Sequence, residues 1–204
     1  MATDDATDLF MKFVLNGAAI PGESTTNLSP SGSIPNKLTT GFTTGRMFEI
    51  DSFTLKAGLS DSLAQPDEAA ARALPGGFQA WRAGKSAKYP VDMQPVSFTR
   101  SIDKSSATLI QNCIDCVAFD SASLIKRKAA GGQAAGEVFL RMDFLGVLVI
   151  GVDWSNDDGV QETCQFICRS AMISYRPQLS DGTLAAPISR FWSMVAGTPQ
   201  PGFS

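Results

Sequence analysis

The chain has 204 residues, 44% of them hydrophobic, enough apolar surface to fill the core of one large domain. Its formal net charge is −3 and its only basic cluster is Lys126-Arg127-Lys128, which argues against a nucleic-acid partner. It contains no histidine, so Ser-His-Asp and Cys-His nucleophiles and the commonest metal ligand are excluded.

No apolar run approaches the roughly 20 residues a membrane helix needs. The best candidate, Phe144–Val152, is interrupted by glycine. The N-terminus is acidic (Asp4, Asp5, Asp8) and lacks a basic region ahead of an apolar core. We therefore expect no cleaved signal peptide, folding in the cytosol, and any export left to a machine that needs none.

In chain order, Leu9–Leu15 alternates around Lys12 and reads as a strand. Residues 16–47 have loop composition, mostly Gly, Ser, Thr, Pro and Asn. Residues 48–55 resume a strand, with Phe48 and Ile50 opposite Glu49 and Asp51. Residues 58–95 break the pattern. Gln65-Pro66-Asp67-Glu68 opens a short helix, with proline and acids in its first turn, and Pro75-Gly76-Gly77 stops it. Leu74, Phe78 and Trp81 are large apolar residues in an otherwise small-residue loop.

The stretch Val96–Lys128 reads as strand, capped helix, turn and strand. Val96, Phe98 and Arg100 share one side of the first strand. The helix is predicted over Ser105–Cys116, with the Ser105 hydroxyl accepting from the free N–H groups of the first turn. Leu109, Ile110, Cys113 and Ile114 fall on its predicted apolar face. Further on, Val138, Leu140, Met142 and Phe144 alternate with Phe139, Arg141, Asp143 and Leu145, and Gly146 marks a bulge or bend before Val147–Val152. Asn156-Asp-Asp-Gly159 is turn chemistry. Gln161–Tyr175 alternates again, with Cys164, Phe166 and Cys168 on one side, and Ile188–Val195 offers a final strand.

Many short strands with glycine punctuation and one central helix predict a mainly β fold. We expect an antiparallel β-barrel or two packed sheets, with one flanking α-helix and a short helix in a long inserted loop. The whole chain, 1–204, is expected to form one domain, with long loops at 16–47 and 58–95.

Reactive constellations are weak. Ser101-Ile-Asp-Lys104 has the S-x-x-K spacing, but the companion signatures are absent. Gly84-Lys85-Ser86 resembles the end of a phosphate-binding loop, but Gln79 stands where the motif needs glycine. Asp153, Asp157, Asp158 and Glu162 fail the EF-hand spacing and read as a hairpin turn. Cys113-x-x-Cys116 and Cys164-x3-Cys168 have the count for zinc. Cys113 lies on the apolar helix face, however, and Cys164 and Cys168 would sit about 13 Å apart along a strand. They read as small core residues; zinc and redox roles are the alternatives. No cofactor, metal or catalytic residue is expected.

Phe98-Thr-Arg-Ser-Ile-Asp-Lys-Ser, Leu109, Phe119, Ala122, Leu124 and Arg127-Lys128-Ala129 resemble the Hcp family, the inner-tube proteins of type VI secretion systems. Asp8-Leu-Phe-Met-Lys-Phe before Pro21-Gly-Glu-Ser, then Glu49-Ile-Asp-Ser-Phe, resembles the family's early strands. Ser174-Tyr-Arg-Pro-Gln, Asp181-Gly182 and Trp192 resemble its C-terminal end. The resemblance implies a homo-hexameric ring with a wide lumen, rings stacked into a tube, and spike, sheath and effector proteins as partners. It implies assembly in the cytoplasm, secretion without a cleaved signal, no membrane insertion, and no bond chemistry. Residues 25–47 and 58–95 look longer than usual for the family, whose corresponding loop to the second stretch helps rings pack and stack. Leu74, Phe78 and Trp81 there either cap their own barrel or bury against a neighbouring subunit. With Ser105 and Leu109 of the helix they form the candidate subunit interface. The alternatives are a monomeric, lectin-like β-sandwich stacking sugars on Trp81 or Trp154, and a tail-tube subunit of another contractile device.

Overall fold

Period-two patterning becomes strand throughout the computed structural model, which describes residues 9–28, 37–59, 91–127, 137–156, 159–179 and 184–193. Strand β1 (Leu9–Leu15) returns on itself as β2 (Ala18–Ala19). The two residues between them, Asn16 and Gly17, both have positive φ. That is the two-residue hairpin turn whose twist matches its strands, an element hidden in the loop composition of 16–47. Then follow β3 (Phe48–Glu49), β4 (Ser52–Thr54), β5 (Ala57–Leu59), β6 (Val91–Met93) and β7 (Val96–Ser101). Helix α1 (Ser106–Ile114), β8 (Phe119–Arg127), β9 (Val138–Ser155), β10 (Gln161–Tyr175) and β11 (Ile188–Ser193) complete the order.

The chain divides into two compact units, one running to Thr54 and resuming at Val96, the other spanning Leu55–Pro95. In the second unit β5 and β6 pair antiparallel, and the Gln94 N–H donates to the Lys56 carbonyl. Leu74, Phe78, Trp81 and the helix predicted from Gln65 lie outside the described residues.

In the first unit nine strands form one antiparallel sheet in the order β2-β1-β8-β9-β10-β7-β4, with β11 beside β10 and β3 beside β1. The mainly β, antiparallel architecture with a flanking helix is thus present, as one curled sheet rather than two packed sheets or a ladder closed all the way round. Residues 48–54 join its ends. Phe48–Glu49 pairs with β1, the Ile50 N–H donates to Leu9, the Asp51 N–H donates to Thr99, and Ser52–Thr54 pairs with β7. The predicted single strand over 48–55 is therefore two short ones, split where the chain changes partner.

The sheet curls because three adjacent strands change phase along one line. Phe119 and Ala122 of β8, Phe144 and Val147 of β9, and Phe166 and Ala171 of β10 are all buried. Each pair is an odd number of residues apart, so regular alternation would send one member outward. Gly146 sits on this line with φ +58, and a side chain there would strike Arg169, which crosses it. The bend expected at Gly146 is thus a corner shared by three strands.

Phe13 is the hub of the enclosed core. Its ring lies 5.0 Å from Phe119, 5.8 Å from Phe166 and 6.1 Å from both Phe48 and Phe98. Phe144 meets Phe166 edge-on at 5.2 Å. These rings come from β1, β3, β7, β8, β9 and β10, so one aromatic cluster ties together strands far apart in sequence.

A second, smaller core lies on the opposite side of the sheet. Phe10, Ile125 and Val138 pack there with Leu38, Phe42 and Met47 from the loop before β3. Val138 joins it because the pairing slips: Lys126 faces Leu140 but Arg127 faces Val138. The loop's base is closed by three backbone hydrogen bonds, Gly22 to Gly45, Gly45 to Ser24, and Ser24 to Met47.

Candidate functional site

The largest fully buried side chain among the described residues is that of Arg100, 1% exposed, on the core-facing side of β7 with Val96 and Phe98. A cation there needs partners at every donor. Its Nε and Nη2 reach Glu162 Oε1 on β10 at 2.7 Å, and Glu162 is itself fully buried. Nη1 donates to Ser105 Oγ at 2.7 Å and lies 2.9 Å from Asp103 Oδ1; Nη2 donates to Ser106 Oγ at 3.0 Å. The guanidinium also stacks over the Phe48 ring, 3.9 Å from its centroid. Glu162's second oxygen accepts from the Trp154 indole at 2.9 Å. One guanidinium therefore connects β3, β7, β10 and the start of α1, with Trp154 as a half-exposed lid.

This arrangement changes the helix start. Ser105 is the first cap residue, but its hydroxyl makes no cap hydrogen bond. It accepts from Arg100 and donates to Asp103 instead, and the Ser105 N–H donates to Asp103 Oδ1 at 2.8 Å. The predicted helix face also shifts: Ser106, Leu109 and Asn112 are buried, while Ile114 is 69% exposed. The helix N-terminus is tied down through its serines, so Ser106 and Asn112 turn inward beside Leu109 and Ile114 turns out. Ser105 and Leu109 accordingly lie inside the subunit, both at 0% exposure.

A second cationic cluster holds the outer loop. Lys12 Nζ donates to the Gly41 carbonyl at 2.8 Å and lies 5.0 Å from the Phe42 ring centroid. Arg141 donates to the Leu38 and Thr40 carbonyls at 3.0 and 2.8 Å and forms a two-pronged pair with Asp143. Asp143 also accepts from Ser123. Burial, and then the neighbouring Arg141 charge, hold the Lys12 ammonium below its ordinary pKa; Asp143 opposes this.

Sequence reasoning assigned no role to Arg100, Glu162 or Lys12. The signal was present: each is a charge on an apolar side of its strand, and such a charge must be paired. Glu162, grouped from its spacing with Asp153, is in fact the buried partner of Arg100.

One concave feature among the described residues is a cleft of about 280 Å³ between the loop base and β7, with Glu23, Glu49, Asp51 and Asp103 on its walls. Two of these acids already have donors: Ser24 and Thr26 hydroxyls reach Glu49, and the Glu23 N–H reaches Asp103. No group of three His, Cys, Asp or Glu side chains among the described residues is arranged to hold a metal ion. No helix among them is long and apolar enough to cross a membrane.

The surface carries apolar side chains in specific places. Tyr175 of β10 pairs directly with Ile188 of β11, and Ile173 lies two residues along on the same side. All three are exposed, Ile188 by 51%. Ile114 and Val117 are exposed at the end of α1.

Comparison with known proteins agrees with this fold. The family model described as "Type VI secretion system effector, Hcp" matches residues 74–175, half of the chain. Protein hcp1 of Pseudomonas aeruginosa is 26% identical over 106 residues, a match spanning 51% of this chain and 65% of that relative's length. A solved structure described as a type six secretion system protein superposes with a TM-score of 0.68 at 19% identity, covering 96% of this chain and 100% of its own. Hcp1 from Salmonella typhimurium superposes with a TM-score of 0.58 at 15% identity, covering 95% and 99%. Those two structures share the fold, and the matched span holds the Arg100 network, α1 and the paired strands β8 to β10. The chain belongs to the Hcp family of type VI secretion.

Proposed function

We propose that this chain is a structural tube subunit that closes into hexameric rings, and that the rings stack around a lumen able to carry small effector proteins. Family membership supports this reading, and the observation that carries it here is the row Ile173, Tyr175 and Ile188. Three large apolar side chains lie together on one sheet face and stay 37–51% exposed, with Phe139 meeting only the edge of the Tyr175 ring at 6.1 Å. Such a patch is ordinarily covered by another chain. The work is steric: no reacting constellation is needed, and the buried ion network serves to hold the subunit's shape. Spike, sheath and effector proteins are the partners that this role implies, with assembly in the cytoplasm before release.

The test is size and shape. Purified protein is expected to run as a hexamer in light scattering and to give annular images by negative stain. Tyr175→Lys with Ile188→Lys should shift the population to monomer without changing its circular dichroism. A wild-type monomer at high concentration, with no rings on the grid, refutes the reading. Trp81→Ala supplies a second arm: we expect weaker ring or stack formation from a folded subunit.

A further inference from the structure

We propose that Cys113 and Cys116 are a reversible dithiol pair that closes to an intrachain disulfide in an oxidising environment. The geometry comes from how α1 ends. The Val117 N–H donates to the Asn112 carbonyl at 2.9 Å and the Cys116 N–H to the Cys113 carbonyl at 3.3 Å. These are the two nested bonds of the Schellman helix stop, in which the residue at Cys116's place takes a left-handed conformation and is most often glycine. Here it is cysteine, with φ +54. A hydrogen-bonded turn keeps its first and fourth Cα atoms within roughly 7 Å. A disulfide bridges Cα atoms roughly 4.4–6.8 Å apart, so the helix stop holds the two Cα atoms at about the separation a disulfide spans.

Access singles out Cys116. It is exposed, whereas Cys113 and Cys168 are half-buried and Cys164 is fully buried. Burial, reinforced by Glu162, pushes the Cys164 thiol up, and burial pushes Cys168 up to about 11. Both are held as unreactive thiols at neutral pH. Cys116 is thus the entry point, and Cys113 the resolving partner.

The oxidant is a small-molecule disulfide such as oxidised glutathione. The Cys116 thiolate attacks one sulfur, breaking the glutathione disulfide and releasing one glutathione thiolate. The Cys113 thiolate then attacks the Cys116 sulfur of the mixed disulfide and expels the second. Two protein thiols become one disulfide and one glutathione disulfide becomes two thiols, which take up the two protons released. In a reducing cytosol the pair stays open, and it closes on transfer to an oxidising medium. Closure would fix the turn that presents Ile114 and Val117. The chemistry does not depend on ring formation, so failure of the tube reading leaves it standing.

The experiment equilibrates the full chain across ratios of oxidised to reduced glutathione, quenches with iodoacetamide in denaturant so that every free thiol is reached, and reads intact and tryptic masses. Both cysteines fall in one tryptic peptide, Ser105–Lys126. Wild type should lose two alkylatable thiols as the ratio rises, with that peptide lighter by two hydrogens and free of glutathione. Cys113→Ser should instead accumulate glutathione on Cys116. Cys116→Ser should leave its remaining thiols alkylatable. A stable glutathione adduct on wild-type Cys116, a Cys113–Cys164 bond, or four alkylatable thiols at every ratio overturns the proposal.

Discussion

The two cationic clusters use the same materials to different ends. Around Arg100, one guanidinium, two carboxylates, two hydroxyls and a phenylalanine ring lie inside the subunit. Around Lys12 and Arg141, two cations, one carboxylate and the Phe42 ring lie on the sheet's outer side and hold a loop by its carbonyls. The first joins elements that make the fold. The second pins an excursion whose ends are already joined by the hydrogen bonds between residues 22–24 and 45–47. Enclosure therefore sets what each cluster is worth: Arg100 and Glu162 are 1% and 0% exposed, whereas Lys12 at 9% and the Arg141 side chain at 16% lie closer to water.

The largest effect should come from Arg100. Arg100→Ala leaves Glu162 buried with only the Trp154 donor, and removal of one partner of a buried pair costs about 3–5 kcal/mol. Urea denaturation should show that loss of midpoint stability. A cost under about 1 kcal/mol would mean the pair is not what joins β7, β10 and α1. Arg100→Ala and Glu162→Ala together should cost less than the sum of the single changes, because neither charge is then left alone.

Gly22→Ala comes next. Gly22 lies against the Met47 backbone, and a Cβ would overlap the Met47 carbonyl. The loop base must open to admit it. Overpacking of this kind costs about 1–3 kcal/mol, read as a lower thermal midpoint. If the mutant keeps the wild-type midpoint, the base contributes little to holding Met47 in the outer core.

How far the sequence was legible follows the same division. The interval from Val96 to Lys128 was readable because its patterning is local: strand, helix and strand follow one another, and Arg100 reaches Ser105 and Ser106 within one turn of chain, although its strands pair with distant ones. Period-two patterning also placed β9 and β10 and the bend at Gly146. The outer core was not readable. Phe10, Ile125 and Val138 meet Leu38 and Phe42 only once the loop folds across the sheet, and nothing in a Gly-, Ser- and Thr-rich stretch announces that. The exposed end of α1 was misjudged because helical spacing identifies a face but not which side the sheet will take. There a serine pair bound to Arg100, rather than Ile114, decided the orientation.

The outer cluster should respond most weakly, and through pH. Lys12's pKa in the folded chain is depressed from 10.5, so the unfolded chain binds more protons between the two values. Stability contributed by this group is therefore present above 10.5 and lost as pH falls through the folded value. The buried thiols act in the opposite sense. Cys168 is raised from 9.0 to about 11, so its contribution is complete below pH 9 and lost as pH rises through about 11. The two overlap in wild type, and the difference between wild type and Lys12→Met isolates the lysine. Methionine keeps much of the stem's packing while removing the charge, so the mutant should lie within about 1 kcal/mol of wild type near neutrality. That gap should move in wild type's favour on alkaline titration. Proteolysis at residues 37–45 should quicken in the mutant, since the Gly41 carbonyl loses its donor while the base of the loop stays closed. A gap that stays flat with pH would show that Lys12's charge is already fully compensated by Asp143 and the loop carbonyls, and that both clusters are balanced alike.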